Sequence, residues 1–168
     1  MSRGFVKESD QEELPIVPPR ADLPANVINY VTEVGYNELI KERVELIEER
    51  EKIPATDENE RRIAVNYLTA KLQLLNDRIA TAKIIKLTEQ PQNEVRFGAT
   101  VTLRVDGSNK LQTYQIVGVD EANITKRKIA FISPIARILI DKKVGETAIL
   151  HLGNDSKKFE IVAIKYDS

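Results

Sequence analysis

Three carboxylates fall within four positions at Asp57, Glu58 and Glu60, with Arg61 and Arg62 directly after them. Their spacing admits two kinds of chemistry. Carboxylate oxygens are the hard ligands that Mg²⁺ prefers, and an ion held by only one or two of them keeps waters that it can activate. Asp57 and Glu60, three apart at the head of an apolar-periodic run, also read as a capping-box-like helix start, where negative charge suits the helix dipole. Both roles can hold at once, one acid capping while another faces a metal. Arg61 and Arg62 would either steer this end of the chain toward RNA or an acidic wall, or form a plain solvated face. The chain has one histidine, His151, and no cysteine. That removes disulfides, thiolate zinc sites and a cysteine nucleophile. With no nucleophile–base pair in view, a stand-alone hydrolase is a poor reading.

The elements around these acids are helical. Residues 36–52 place Ile40, Val44 and Ile47 on one face with Leu39 and Leu46 beside it, and charged residues fill most of the rest. Residues 57–83 carry Ala64, Leu68, Leu72, Leu75, Ile79 and Ala82 at steps of four and three, the spacing of a coiled-coil seam. Pro54 stops the first helix, because its ring removes a donor and disfavours helical backbone before it. The pattern predicts an antiparallel α-helical coiled-coil hairpin of unequal arms, about 25 Å and about 40 Å at 1.5 Å per residue. The hairpin should project with Pro54 to Asp57 at its far end, since its charged outer faces leave nothing to pack a second layer. Residues 26–35 read as a short extended lead-in, with Gly35 marking the helix entry.

After Lys83 the period changes. Alternating segments at 97–105, 111–119, 128–132, 145–152 and 157–166 read as strands, with turn chemistry at Asp106-Gly107 and Gly153-Asn154-Asp155. Ser133-Pro134 places a capping hydroxyl before a proline at the first position of a helix through Ile135, Ala136, Leu139 and Ile140. One short helix on about five antiparallel strands is a compact α+β domain. The expected division is a flexible acidic, proline-rich tail over 1–25, the hairpin over 26–88 and the C-terminal domain over 89–168. Within the tail, the run from Leu14 through Pro19 reads either as a partner-docking peptide or as a disordered leader. A net charge of −1 with 30% charged residues argues for a protein partner over bulk nucleic-acid binding. The longest apolar runs are too short for a bilayer and the first ten residues are polar, so a cytoplasmic protein with no membrane contact is expected.

The acid-tipped hairpin, the strand beginning Phe97-Gly98-Ala99-Thr100-Val101, the stretch Ile116-Val117-Gly118-Val119-Asp120-Glu121-Ala122 and the block Ser133-Pro134-Ile135-Ala136-Arg137-Ile138-Leu139-Ile140 resemble the Gre transcript-cleavage factors of bacterial RNA polymerase. The resemblance runs from about Val31 to Tyr166, and the Ser-Pro-Ile-Ala-Arg block is its most specific part. It implies an FKBP-like C-terminal domain that docks on the polymerase rim, with Ser133, Pro134, Ile135, Ala136 and Arg137 as partner-binding residues. It also implies a hairpin inserted in the secondary channel, near the nascent RNA 3′ end. There Asp57, Glu58 and Glu60 would assist the polymerase's Mg²⁺, with Asp57 and Glu60 as shared ligands, no cofactor bound stably and no enzyme activity of the chain's own. Members of the family usually show an Asp-x-x-Glu-Asn pattern at the tip, whereas this chain reads Thr56-Asp57-Glu58-Asn59-Glu60. Either Asp57 and Glu60 keep the spacing, or Glu58-Asn59 keep the pair and Ala55 takes the Asp position. The arm is also shorter than the family's usual hairpin by about a dozen residues over both helices, roughly 10 Å less reach. Two functions therefore stand: stimulation of cleavage of backtracked RNA, or a non-cleaving secondary-channel regulator with the same docking. A prolyl isomerase, which an FKBP-like fold would permit, fits poorly with a chain lacking tryptophan and holding few aromatics.

Overall fold

The computed structural model describes residues 15–167. A two-residue strand, β1 (Tyr30–Val31), leads into helix α1 (Glu33–Glu51); the chain reverses, helix α2 (Glu58–Thr81) returns, and β2 (Lys83–Ile84) leaves parallel to β1. A 3₁₀ turn at Leu87–Glu89 then opens the sheet domain: β3 (Thr100–Val105), β4 (Leu111–Val117), β5 (Lys128–Ala130), helix α3 (Pro134–Leu139), β6 (Thr147–Leu152) and β7 (Asp155–Lys165). This is the expected α+β architecture of a helical hairpin followed by a sheet with one short helix. Two apolar clusters match the two parts, one centred on Leu39, Leu46, Leu68, Leu72 and Leu75, the other on Val101, Leu103, Ile116, Leu139 and Ile161.

The sheet departs from expectation in one respect. Its order is β5-β4-β3-β7-β6, and β4 with β5 is a parallel pair in register from Gln115↔Lys128 to Val117↔Ala130. The other pairs are antiparallel. A parallel neighbour requires the chain to travel back before pairing, and residues 118–127 make that journey past the base of the arm. The detour brings Asp120 and Glu121 to the hairpin.

The seam of α2 is as the spacing predicts, with Leu68, Leu72 and Leu75 buried and Ile79 and Ala82 packed beside them. The seam of α1 is not. Leu39 and Leu46 are the buried leucines, Tyr36, Ile47 and Ile53 pack against the cluster, and Val44 is 49% exposed. The facing positions run Tyr36, Leu39, Arg43, Leu46, Arg50, Ile53 in alternating steps of three and four, and both arginines are half-buried. Long basic side chains at such positions can cover apolar surface with their stems and keep their heads in water, and Arg50 donates from Nη1 to Thr69 Oγ1 across the pair at 3.2 Å. A stripe chosen by counting apolar residues skips such positions and rotates toward Val44.

Gly35 does not mark the entry of α1 but lies inside it. Thr32 is the cap, its hydroxyl accepting from the Gly35 amide at 2.9 Å and donating to Glu121 Oε1 at 2.6 Å. A Cβ on Gly35 would stand 2.6 Å from that carboxylate oxygen, and one on Gly118 would stand 2.5 Å from the Tyr30 carbonyl. Both glycines are thus demanded by close approach between arm and sheet domain. Tyr30 also meets Phe97 and Phe131, with ring centroids 5.8 and 5.6 Å away. Of the expected tail over 1–25, the first fourteen residues lie outside the described ones; Arg20 and Ala21 in the remainder are bonded to both parts of the molecule.

Gly118→Ala is expected to lower stability by about 1–3 kcal/mol, because the backbone it meets cannot swing aside. Thermal unfolding of the variant against the parent reads this, and an unchanged midpoint would show that the seat of the arm can give way.

Candidate functional site

At the far end of the arm, α1 closes on Lys52, whose amide donates to the Glu48 carbonyl at 3.1 Å, and Pro54 forbids continuation. Asp57 then adopts extended backbone (φ −132°, ψ 119°), and its Oδ1 accepts from the amides of Asn59 at 2.8 Å and Glu60 at 3.1 Å. This is the cap that the spacing predicts, although it uses the carboxylate of Asp57 alone. Glu58 and Glu60 stand in the first turn of α2, and all three acids are exposed. The tip lies about 28 Å from the capped base of α1, given its 19 residues at 1.5 Å per residue. Arg62 donates to Asn59 Oδ1 at 2.8 Å, so it helps to order the first turn of α2.

The donor chemistry of the tip suits Mg²⁺, which wants carboxylate oxygens. Its geometry does not make a site unaided. Among the described residues no group of three or more His, Cys, Asp and Glu side chains is arranged to hold a metal ion. One oxygen of Asp57 already accepts two amides. An ion at the tip would need ligands from another molecule, with Glu58, Glu60 and the remaining capacity of Asp57 as this chain's contribution. His151 is exposed on β6.

The Ser133–Arg137 block divides by burial. Ser133 Oγ accepts from the Ala136 amide at 3.3 Å and caps α3, with Pro134 at the first position as predicted. Ala136 is completely buried in the sheet-domain core and cannot touch a partner, which corrects its place among the contact residues. Ile135 packs partly on that core, so Pro134 and Arg137 are the members left exposed.

Reading the sequence alone assigns no role to the acids of the 116–122 stretch. Glu121, 7% exposed, takes the Thr32 hydroxyl on one oxygen and Lys128 Nζ on the other at 3.0 Å. Asp120 receives Arg20 Nε at 3.0 Å and Arg78 Nη1 at 3.1 Å. Arg20 reaches on to Glu42 through both terminal nitrogens, at 2.5 and 3.3 Å. Burial alone would weaken the Arg20 guanidinium's hold on its proton; the bond to Glu42 and the charges of Asp120 and Glu42 outweigh it and keep the group above its ordinary value. Beside this joint a cleft of about 170 Å³ opens between Thr32, Lys86, Glu121, Lys128 and Tyr166. The signal present in the sequence is two acids placed shortly after an apolar strand and a glycine.

Residues 90–166 match the model of the family described as "Transcription elongation factor, GreA/GreB, C-term". The chain is 37% identical over 100 residues to the transcription elongation factor GreA of Maricaulis maris (strain MCS10), covering 60% of this chain and 64% of that one. To the transcription elongation factor GreA of Rickettsia canadensis (strain McKiel) it is 36% identical over 100 residues, 60% of this chain and 62% of the other. The matched region thus spans somewhat under two thirds of these curated relatives. Among solved structures, Thermus aquaticus Gfh1 superposes with a TM-score of 0.41 at 22% identity, over 81% of this chain and 97% of that one. The transcription elongation factor GreA/GreB from Nitrosomonas europaea gives 0.42 at 17% identity, over 82% and 98%.

Replacing Asp57 separates its two capacities. Asp57→Ala is expected to lower stability by about 1 kcal/mol, whereas Asp57→Asn, an equally good cap, should leave it within a few tenths of a kcal/mol. Urea unfolding of both variants measures the difference.

Proposed function

We propose, from the match of residues 90–166 to the model of the GreA/GreB C-terminal family, that this chain is a transcription elongation factor of bacterial RNA polymerase. In this reading the sheet domain docks on the polymerase rim through the exposed part of α3, Pro134 and Arg137, and the arm enters the secondary channel. The factor stimulates the polymerase's own cleavage of backtracked RNA and performs no chemistry alone. The observation that carries it is the placing of three exposed carboxylates at the end of a two-helix arm, about 28 Å from the base of its first helix. A rigid arm is what delivers charge to a site its own domain cannot reach.

The geometry suits the tip residues to distinct work. Asp57 fixes the first turn of α2 by accepting two amides, and so sets where Glu58 and Glu60 point. These glutamates, one on each side of Asn59, present negative charge to a cation held chiefly by the partner. When bound there, a Mg²⁺ ion supplies the charge that acidifies a water and steadies a leaving oxygen. The arm's own contribution is orientation and the exclusion of water around the RNA end.

The second reading, a channel regulator without cleavage, keeps the docking and draws on two observations: the short 19-residue α1, and the commitment of an Asp57 oxygen to the cap. In that case the arm occludes the channel and its acids compete for the ion.

The triple replacement Asp57→Asn, Glu58→Gln, Glu60→Gln keeps the cap and removes the charge. It is expected to leave polymerase binding within about twofold while slowing cleavage in stalled, backtracked complexes by about tenfold or more, as loss of ion ligands should. Single Glu58→Gln and Glu60→Gln variants then show which acid matters. A wild-type chain that binds but accelerates no cleavage at any Mg²⁺ concentration would favour the regulator reading.

A further inference from the structure

Arg20 sits where three parts of the molecule meet. Its Nε bonds Asp120 of the sheet domain, its terminal nitrogens bond Glu42 on α1, and the next residue, Ala21, gives its carbonyl to Arg78 Nη2 of α2 at 2.7 Å. Arg78 in turn bonds the second oxygen of Asp120 at 3.1 Å. The inner part of this network is screened from water, with side-chain exposures of 19% for Arg20, 13% for Arg78 and 7% for Asp120. Glu42, which takes the fork, is 40% exposed; the paired bonds of the fork fix its direction, and the screened Arg20–Asp120–Arg78 pairs anchor its root.

The placement matters more than the number of bonds. Glu42 lies ten residues beyond the Thr32 cap, about 15 Å up the arm at 1.5 Å per residue. The Thr32–Glu121 contact fixes the arm at its pivot; Arg20 ties it again at a point well above the pivot. A tie at the pivot leaves the angle of a rod soft, whereas a diagonal tie resists its swing.

We infer that Arg20 is a positioning residue: the segment before the arm is a brace that sets the angle between arm and sheet domain, and thereby the place the tip reaches. A swing of about 10° about the base moves a tip about 28 Å away by about 5 Å, more than the whole margin within which a carboxylate ligates an ion. The brace goes beyond the proposed function, and only its effect on cleavage rests on that reading.

The absence of cysteine allows a clean test. Asn59→Cys at the tip and Asn154→Cys in the turn between β6 and β7 of the full chain take a pair of spin labels, and pulsed electron–electron spectroscopy reads the distance between them. The expected result is one narrow distance with Arg20 present. With Arg20→Ala the distribution should broaden about twofold or move by several ångströms, with Arg20→Lys in between, since an ammonium keeps the charge but not the fork. Glu42→Ala should reproduce the Arg20→Ala change, and the thermal midpoint should fall by only a few degrees. An Arg20→Ala distribution that superposes on the parent's would overturn the brace. So would broadening matched by a collapse of the midpoint, because Arg20 would then be holding the fold and not the angle. The distances need no polymerase, so the brace stands or falls on them even for a chain that stimulates no cleavage. If the chain does stimulate cleavage, Arg20→Ala should slow it several-fold with binding unchanged.

Discussion

The seating of Glu121 is the interaction on which the rest of the molecule depends. A carboxylate this well buried needs partners on both oxygens, and it finds the cap hydroxyl of α1 on one side and a lysine of β5 on the other. Removing one partner of such an arrangement costs about 3–5 kcal/mol. The requirement runs both ways. Thr32 must cap α1 with its hydroxyl hydrogen directed at the sheet domain, Gly35 must lack a side chain to let the carboxylate in, and Gly118 must lack one to let the Tyr30 carbonyl approach. Helix start, strand crossover and joint are therefore one structure, solved together.

At the other end of the arm the same kind of residue serves a different purpose. Asp57, like Thr32, satisfies amides that the start of a helix leaves unpaired. Where Thr32 is buried and turned inward, Asp57 is exposed and carries a charge the cap does not require. A neutral serine or asparagine would start α2 equally well. The surplus negative charge, repeated in Glu58 and Glu60, is more than the helix start needs.

Much of this is legible in the residues. The steps of four and three through Leu68, Leu72 and Leu75, the stop at Pro54, the cap at Asp57 and the Ser133-Pro134 start of α3 are local rules, and the structure obeys them. The α1 stripe is misread from sequence because Arg43 and Arg50 occupy seam positions through their stems, which a division into apolar and charged residues cannot represent. The parallel pairing of β5 stays hidden because it depends on the route taken by residues 118–127, not on their composition. The ties made by Arg20, Asp120 and Glu121 span up to a hundred positions, and no local pattern announces them. Ala136 reads as a contact because a motif records which residues matter without recording which way they face.

The parallel pair of β1 and β2 has one more consequence. The chain enters and leaves the arm side by side, with Tyr30 opposite Lys83 and Val31 opposite Ile84, so everything between those two strands is an insertion whose ends are already joined. Adding or deleting a heptad in each helix would preserve the seam register and shift the tip by about 10 Å along the axis, while the sheet domain would register no change. Reach is thus a free parameter of this architecture. Evolution or a protein engineer can alter it in steps of fixed size, moving the acids along the arm's axis without redesigning the sheet domain or the joint that holds the arm.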